Sequence, residues 1–370
     1  MSHEQPQAEP GSVTSPAAST PDPAPVPATP APPRAAPEDF SASESLVESD
    51  SQLIQARDEQ DEDSALGTDD DASATTSLRS SITRYREENG RTYHSYAESS
   101  ESSSAVDGTL YGIQLCLAQR SDLQHHLFSL TLGGKLYEAP LDQHKIGRLL
   151  DAGTGTGIWA IDIGDKFPNA EILGVDISPI QPTFVPPNVS FVMDDLELEW
   201  TYRRPFDFVF GRMLVGSIGD WPKFMRQSFD NLNSGGWIEL QDIVLIPKCD
   251  DGTMSDDSAI KIWGDRIMEC CDILKRYGDS ALRYKQQMID AGFINVTEVK
   301  YKWPTNPWPA EQHYRDLGFW TYHDIADGLS GLSMAGFTRC LGWTMEQVEL
   351  FLVSVKKEMK DKHIHAYWSM

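Results

Sequence analysis

The sequence predicts an α/β chain whose core is a doubly wound, mostly parallel sheet. Two observations carry this. Short apolar runs ending in an acid, Leu149-Leu150-Asp151 and Ile172-Leu173-Gly174-Val175-Asp176, flank one helix-like segment, and the first runs into three alternating glycines, Gly153, Gly155 and Gly157. Beyond them, strand-like and helix-like segments alternate as far as Ile243, the pattern of parallel strands joined by helical crossovers.

Taken in order, a helix is expected near 121–132, with Ser121 as its N-cap. Strand one is expected over 146–151 and a helix over 157–166, ended by Pro168. Strand two follows over 171–176 and strand three over 189–193, leading into Asp194-Asp195. Strand four is expected over 206–210, and a helix over 221–232 stopped by Asn233-Ser234-Gly235-Gly236. Strand five is expected over 237–243. Helical periodicity returns over 256–277 and 281–291, then a sixth strand over 293–301, a rigid aromatic loop over 303–309 and a helix over 344–360. A reversed seventh strand is expected to begin near Ala366-Tyr367-Trp368. With Met370 as the last residue, that strand is expected to be a stub or a shortened form.

The glycine spacing decides the kind of site. A strand-to-helix turn that brings backbone against a ligand must bend sharply and carry little bulk, which glycine allows. A dinucleotide-binding turn has the form G-x-G-x-x-G and needs glycine at 158, where the chain has Ile158. The tighter G-x-G-x-G form resembles that of S-adenosylmethionine-dependent methyltransferases of the class I, Rossmann-like fold. On this reading Gly153, Gly155 and Gly157 cradle the cofactor. Asp151 faces its ammonium, and Asp176 accepts the two ribose hydroxyls, with Ile177 following at the same strand tip. Asp194 or Asp195 accepts the adenine amino group, or is a solvated turn acid. Tyr93, spaced from Tyr96 as Y-x-x-Y, is placed to cover the cofactor.

Arg212, just past strand four, lies where the methyl group meets its acceptor. It pairs with a substrate carboxylate or with Asp220. Trp303, Trp308, Phe319, Trp320 and Tyr322 either line an apolar acceptor pocket or fill the core of a C-terminal cap. His313 and His323 in that cap are candidates for a general base. His125 and His126 are adjacent and point apart on a helix, so they make no compact metal pair and packing is their default role. No metal-ligand spacing is visible.

The 370 residues carry a net charge of −25, unevenly spread. Residues 1–78 contain 16 acids against Arg34 and Arg57, 11 of the 23 prolines, and Phe40 as their one aromatic residue. That composition cannot offset chain entropy by burial, so a disordered tail is expected over 1–78 and a folded domain over 79–370. The tail is either an interaction or phosphorylation-regulated segment or a plain solvating leader. No apolar stretch is long enough to span a membrane and no signal peptide opens the chain. Five scattered cysteines fit neither a disulfide framework nor zinc, so a cytoplasmic or nuclear location is expected. Acidity without a basic stripe argues against direct nucleic-acid binding.

From Tyr85 onward the chain resembles fungal methyltransferases related to the velvet-complex regulator of secondary metabolism. The resemblance lies in Glu87-Glu88-Asn89-Gly90-Arg91-Thr92-Tyr93-His94, Asp122-Leu123-Gln124-His125-His126 and the glycine loop. It continues in Phe206-Asp207-Phe208-Val209-Phe210-Gly211-Arg212-Met213-Leu214, Gly235-Gly236-Trp237-Ile238-Glu239-Leu240-Gln241-Asp242 and His363-Ile364-His365-Ala366-Tyr367-Trp368. It implies S-adenosylmethionine as cofactor and a role in making or regulating secondary metabolites. The acceptor is a small metabolite or a protein side chain. A cofactor-binding subunit of a nuclear regulatory complex, with little turnover, is the alternative. Arginine methylation is not expected, because Gly211 to Trp221 contain no glutamate to hold a guanidinium.

Overall fold

The computed structural model describes residues 54–56 and 121–370. The segments with Tyr93 and Tyr96, most of the acidic tail and Cys116 lie outside the described residues. Residues 121–131 are helical (α1), and Ser121 is already within the helix, so it is not the N-cap. Strands β1 (Arg148–Ala152), β2 (Glu171–Asp176), β3 (Val189–Met193), β4 (Phe206–Arg212) and β5 (Leu232–Gln241) follow. They form a five-stranded sheet in the order β3-β2-β1-β4-β5, with every pairing parallel. Helices α2 (Ile158–Lys166) and α3 (Trp221–Asp230) are the connections after β1 and β4.

The central strands β1, β2 and β4 read as apolar runs because both their faces are covered. Leu149 and Leu150 are adjacent and both fully buried, one packed with Trp159 and Phe208, the other with Val209 and Phe224. The Trp159 indole lies flat on Phe210 with centroids 3.7 Å apart, fixing α2 against β4. Asn233 to Gly236 do not end α3. They sit within β5, where the ladder with β4 shifts between Phe206 and Phe208.

After β5 come β6 (Lys248–Cys249), α4 (Ala259–Leu274), a 3₁₀ turn (Ser280–Arg283), α5 (Tyr284–Ala291), β7 (Lys302–Pro304), α6 (Gln312–Cys340), α7 (Met345–Lys360) and β8 (Ala366–Ser369). The reversed last strand is β8, antiparallel to β6 and β7 on its two sides in a separate three-stranded sheet. One backbone bond, Val244 N–H to the Ser369 carbonyl at 2.8 Å, links it to the chain just past β5.

The expected strand over 293–301 does not form. Ile294 is 83% exposed and Asn295 is left-handed at φ 57°, so pairing begins only at Tyr301, which bonds Met370 in both directions. Helix α7 starts at a reciprocal Thr344–Gln347 capping box, as its sequence indicates. Helix α6 was not legible. Gly318, Gly328, Gly331 and Gly336 interrupt its periodicity, and Gly318 is there for space: a Cβ would stand 2.2 Å from the Asn306 carbonyl oxygen.

This contrast is testable by chemical denaturation. Gly318→Ala forces α6 away from the 306–307 backbone and is expected to cost about 1–3 kcal/mol. Gly331→Ala, at an exposed helical position with open space beside it, is expected to stabilise by about 0.5–1 kcal/mol. Equal effects of the two would contradict this packing account.

Candidate functional site

A cleft of about 550 Å³ opens at the carboxyl ends of β1, β2 and β4, where a doubly wound sheet places ligands. Asp151, Gly153, Gly155, Asp176, Ile177, Asp194, Asp195 and Arg212 all line it, so the sheet gathers eight of the sequence-selected residues at one edge. Gly157 does not line it. It is the left-handed N-cap of α2 at φ 79°, and a Cβ there would stand 2.3 Å from the Phe191 ring, so its role is packing. Trp320 does not line the cleft either. It lies on α6, edge-on to His126 at 4.5 Å. Trp303 and Trp308 are core residues whose indole N–H groups donate to Thr131 Oγ1 at 2.8 Å and to the Ala366 carbonyl at 3.0 Å. His313 is exposed and lies edge-on to Tyr314, while His323 is buried 3.4 Å from Asp327, and neither lines the cleft.

The loop after β1 is fastened by backbone and side chain together. Gly153 and Thr154 N–H groups donate to the Val175 carbonyl at 2.8 and 3.0 Å. Asp176 Oδ2 accepts the Gly155 N–H at 2.8 Å and its Oδ1 accepts the Ser178 N–H at 2.9 Å. A carboxylate has about four acceptor positions, so Asp176 retains capacity for further donors. Gln181 Nε2 completes the fastening by donating to the Gly155 carbonyl at 2.7 Å. Gly153, at φ 72°, has no room for a side chain, since a Cβ would meet Leu214 at 2.4 Å.

Asp151 is 3% exposed and accepts the Thr154 hydroxyl at 2.5 Å. Burial pushes its carboxyl up to about 6, against the pull of Thr154 and Arg212. A buried carboxylate at that position is stabilised by any cation brought beside it. Asp194 and Asp195 are exposed turn acids that accept the Asp195 and Glu197 N–H groups at 2.8 and 2.9 Å while lining the cleft.

Arg212 does not pair with Asp220, which instead caps α3 by accepting the Lys223 N–H at 3.0 Å. Its guanidinium bonds His125 Nδ1 at 2.9 Å, and His125 Nε2 lies 3.1 Å from Asp162. His125 is therefore more than a packing residue. Glu197 and Arg276 are a second unforeseen pair, joined at 2.5 Å across the cleft wall, with Glu197 accepting the Gly219 N–H and Arg276 donating to the Ser217 carbonyl. The motif signal misses both pairs because their partners are far apart in sequence. Among the described residues no cluster of three or more His, Cys, Asp or Glu is arranged to hold a metal, and no helix is long and apolar enough to cross a membrane.

Residues 123–298 match the model of a methyltransferase domain. The chain is 37% identical over 303 residues to methyltransferase pytC of Aspergillus terreus, an alignment covering 82% of this chain and 90% of that protein. The chain belongs to this fungal family of S-adenosylmethionine-dependent methyltransferases. Family members named as regulators align almost as well. The secondary metabolism regulator laeA of Aspergillus flavus is 32% identical over 292 residues, covering 76% of this chain and 75% of that one. The protein-methionine methyltransferase laeA of Emericella nidulans is 33% identical over 291 residues, covering 77% and 74%.

Behind the cleft, Asp242 is 6% exposed and accepts the Tyr284 hydroxyl at 2.8 Å. It also accepts the Leu214 and Val215 N–H groups of the cleft-lining loop, and burial pushes its carboxyl up to about 7. Between its unfolded value near 4 and this folded value the native state holds more protons, so stability falls as pH rises across that window. Asp242→Asn is expected to flatten the decline in unfolding free energy between pH 5 and pH 8. Parallel profiles for variant and wild type would refute the assignment.

Proposed function

We propose that this chain transfers a methyl group from S-adenosylmethionine, held at the tips of β1 to β3, to a secondary metabolite or to a protein side chain. The observation that supports this is that Asp151, the Gly153–Gly155 backbone, Asp176 and Asp194-Asp195, at the ends of the adjacent strands β1, β2 and β3, line one cleft. The residues present fit such a ligand. Asp151 supplies the anion for an α-ammonium and Asp176 the spare acceptors for two hydroxyls, while Asp194 or Asp195 supplies an acceptor for an exocyclic amine. Ile177, Leu196 and Ile218 supply apolar surface for the faces of a base.

When bound, the donor supplies an electrophilic methyl on a sulfonium. The chain's part is to bind, orient and desolvate, which lowers the barrier by proximity rather than by covalent chemistry. Trp159, Phe210, Met213 and Leu214 give the cleft apolar lining. Relatives named as methyltransferases and as regulators align with similar identity, so the acceptor is a matter for direct assay. Purified protein given methyl-labelled donor is incubated with an organic fungal extract or a protein extract. Label in the organic phase marks a metabolite acceptor, label in a protein band marks a protein acceptor, and no labelled product in either overturns the enzymatic reading.

The site assignment has its own test. Asp176→Ala is expected to weaken S-adenosylmethionine binding by roughly 10- to 150-fold, the worth of a hydrogen bond to a charged acceptor. Unchanged affinity by calorimetry in a folded variant would remove Asp176 from the site.

A further inference from the structure

The donor reading gives Arg212 no task. Arg212 ends β4 and lines the cleft, and β1 and β4 run side by side with Asp151 opposite Phe210, two residues before Arg212. The positive charge of Arg212 also acts on Asp151, opposing the rise that burial causes. A buried carboxylate and a guanidinium thus stand as neighbours at the end of the cleft where the glycine loop begins. That is the pairing of charges that an α-amino acid, with an ammonium and a carboxylate on one carbon, requires.

The guanidinium is held from two directions. Its carbon lies 5.0 Å from the Phe128 ring centroid and 5.9 Å from that of Phe210. Its Nη2 bonds His125 Nδ1 at 2.9 Å, and His125 Nε2 sits 3.1 Å from Asp162, with the His125 side chain 3% exposed and the Asp162 side chain 10%. Burial holds the His125 ring below its ordinary pKa, so it is neutral near pH 7. A neutral imidazole has one N–H and one lone pair, and a guanidinium can only donate. The lone pair is therefore on Nδ1, facing Arg212, and the proton is on Nε2, facing Asp162. Asp162 selects the one tautomer in which His125 accepts from Arg212, the same device that orients histidines around metal sites.

We infer that Arg212 binds the α-carboxylate of the donor's methionine portion beside Asp151, with His125 and Asp162 as positioning residues that aim it. This inference rests on the donor reading above and replaces the expectation that Arg212 serves the acceptor. It makes the contact between α1, α2 and β4 part of donor recognition.

The test compares three ligands by calorimetry on the full chain: S-adenosylmethionine, its decarboxylated analogue, and 5′-methylthioadenosine, which lacks the amino-acid portion. Wild type is expected to prefer S-adenosylmethionine over the decarboxylated analogue by roughly 10- to 150-fold, the range for a charge-assisted contact. Arg212→Gln is expected to reduce that preference to within about threefold while leaving 5′-methylthioadenosine affinity unchanged, which also reports an intact cleft. Asp162→Asn can donate to Nε2 and so favour the wrong tautomer, and is expected to lower the preference, as is His125→Leu. His125→Asn keeps an acceptor oxygen toward Arg212 and is expected to restore much of the preference. A preference that survives Arg212→Gln, or one that is absent in wild type, overturns the inference alone. Loss of 5′-methylthioadenosine binding in Arg212→Gln assigns the residue a structural role and also overturns it. Wild type binding none of the three ligands overturns the donor reading and the inference together.

Discussion

Asp176 accepts the Gly155 N–H with one carboxylate oxygen and the Ser178 N–H with the other, so a single side chain joins the loop after β1 to the tip of β2. The cleft depends on that tie. The Gly153 and Thr154 N–H bonds to Val175, Gln181 and the Thr154 and Thr156 hydroxyls, which donate to Asp151 and Asp122, hold the rest of the loop. The residue that shapes the site is also the one whose remaining acceptor positions suit a ribose, so architecture and recognition share one carboxylate.

The second shared constraint is burial of charge at the strand ends. Asp151, Asp242 and His125 all lie at or behind the cleft floor, and burial disfavours the charged form of each. Each is stabilised by named hydrogen bonds: Thr154 for Asp151, Tyr284 and the loop after β4 for Asp242, and Asp162 and Arg212 for His125. Buried polar groups with satisfied partners fix one arrangement of the elements that carry them. Here they fix α1, α2, the loop after β4 and the start of α5 around the strand tips.

The sheet was readable because its central strands β1, β2 and β4 are buried on both faces and appear as short apolar runs. The bounds of β2 and β3 coincide with the expected runs, and the acids at their ends mark the cleft. The glycine loop was readable as a site, although Gly157 turned out to serve the packing of Phe191 rather than the cleft. What escaped the sequence depends on partners distant along the chain. The strand-like residues over 293–301 give no sign of whether a neighbour strand exists, and the ladder starts only at Tyr301. Helix α6 is hidden by glycines that are needed where the 306–307 backbone passes close. Arg212 was readable as a cleft residue, but His125, its partner 87 residues earlier, was not. Trp320 belongs by type to a binding pocket and by position to the face of α6 against His126.

The most direct test of the account is a crystal structure of the full chain with S-adenosylhomocysteine bound. The account predicts the ribose on Asp176, the amino-acid portion over Gly153 with its ammonium toward Asp151, and the base between Ile177 and Leu196 near Asp194-Asp195. A ligand bound elsewhere, or one whose ribose hydroxyls do not reach Asp176, would contradict it.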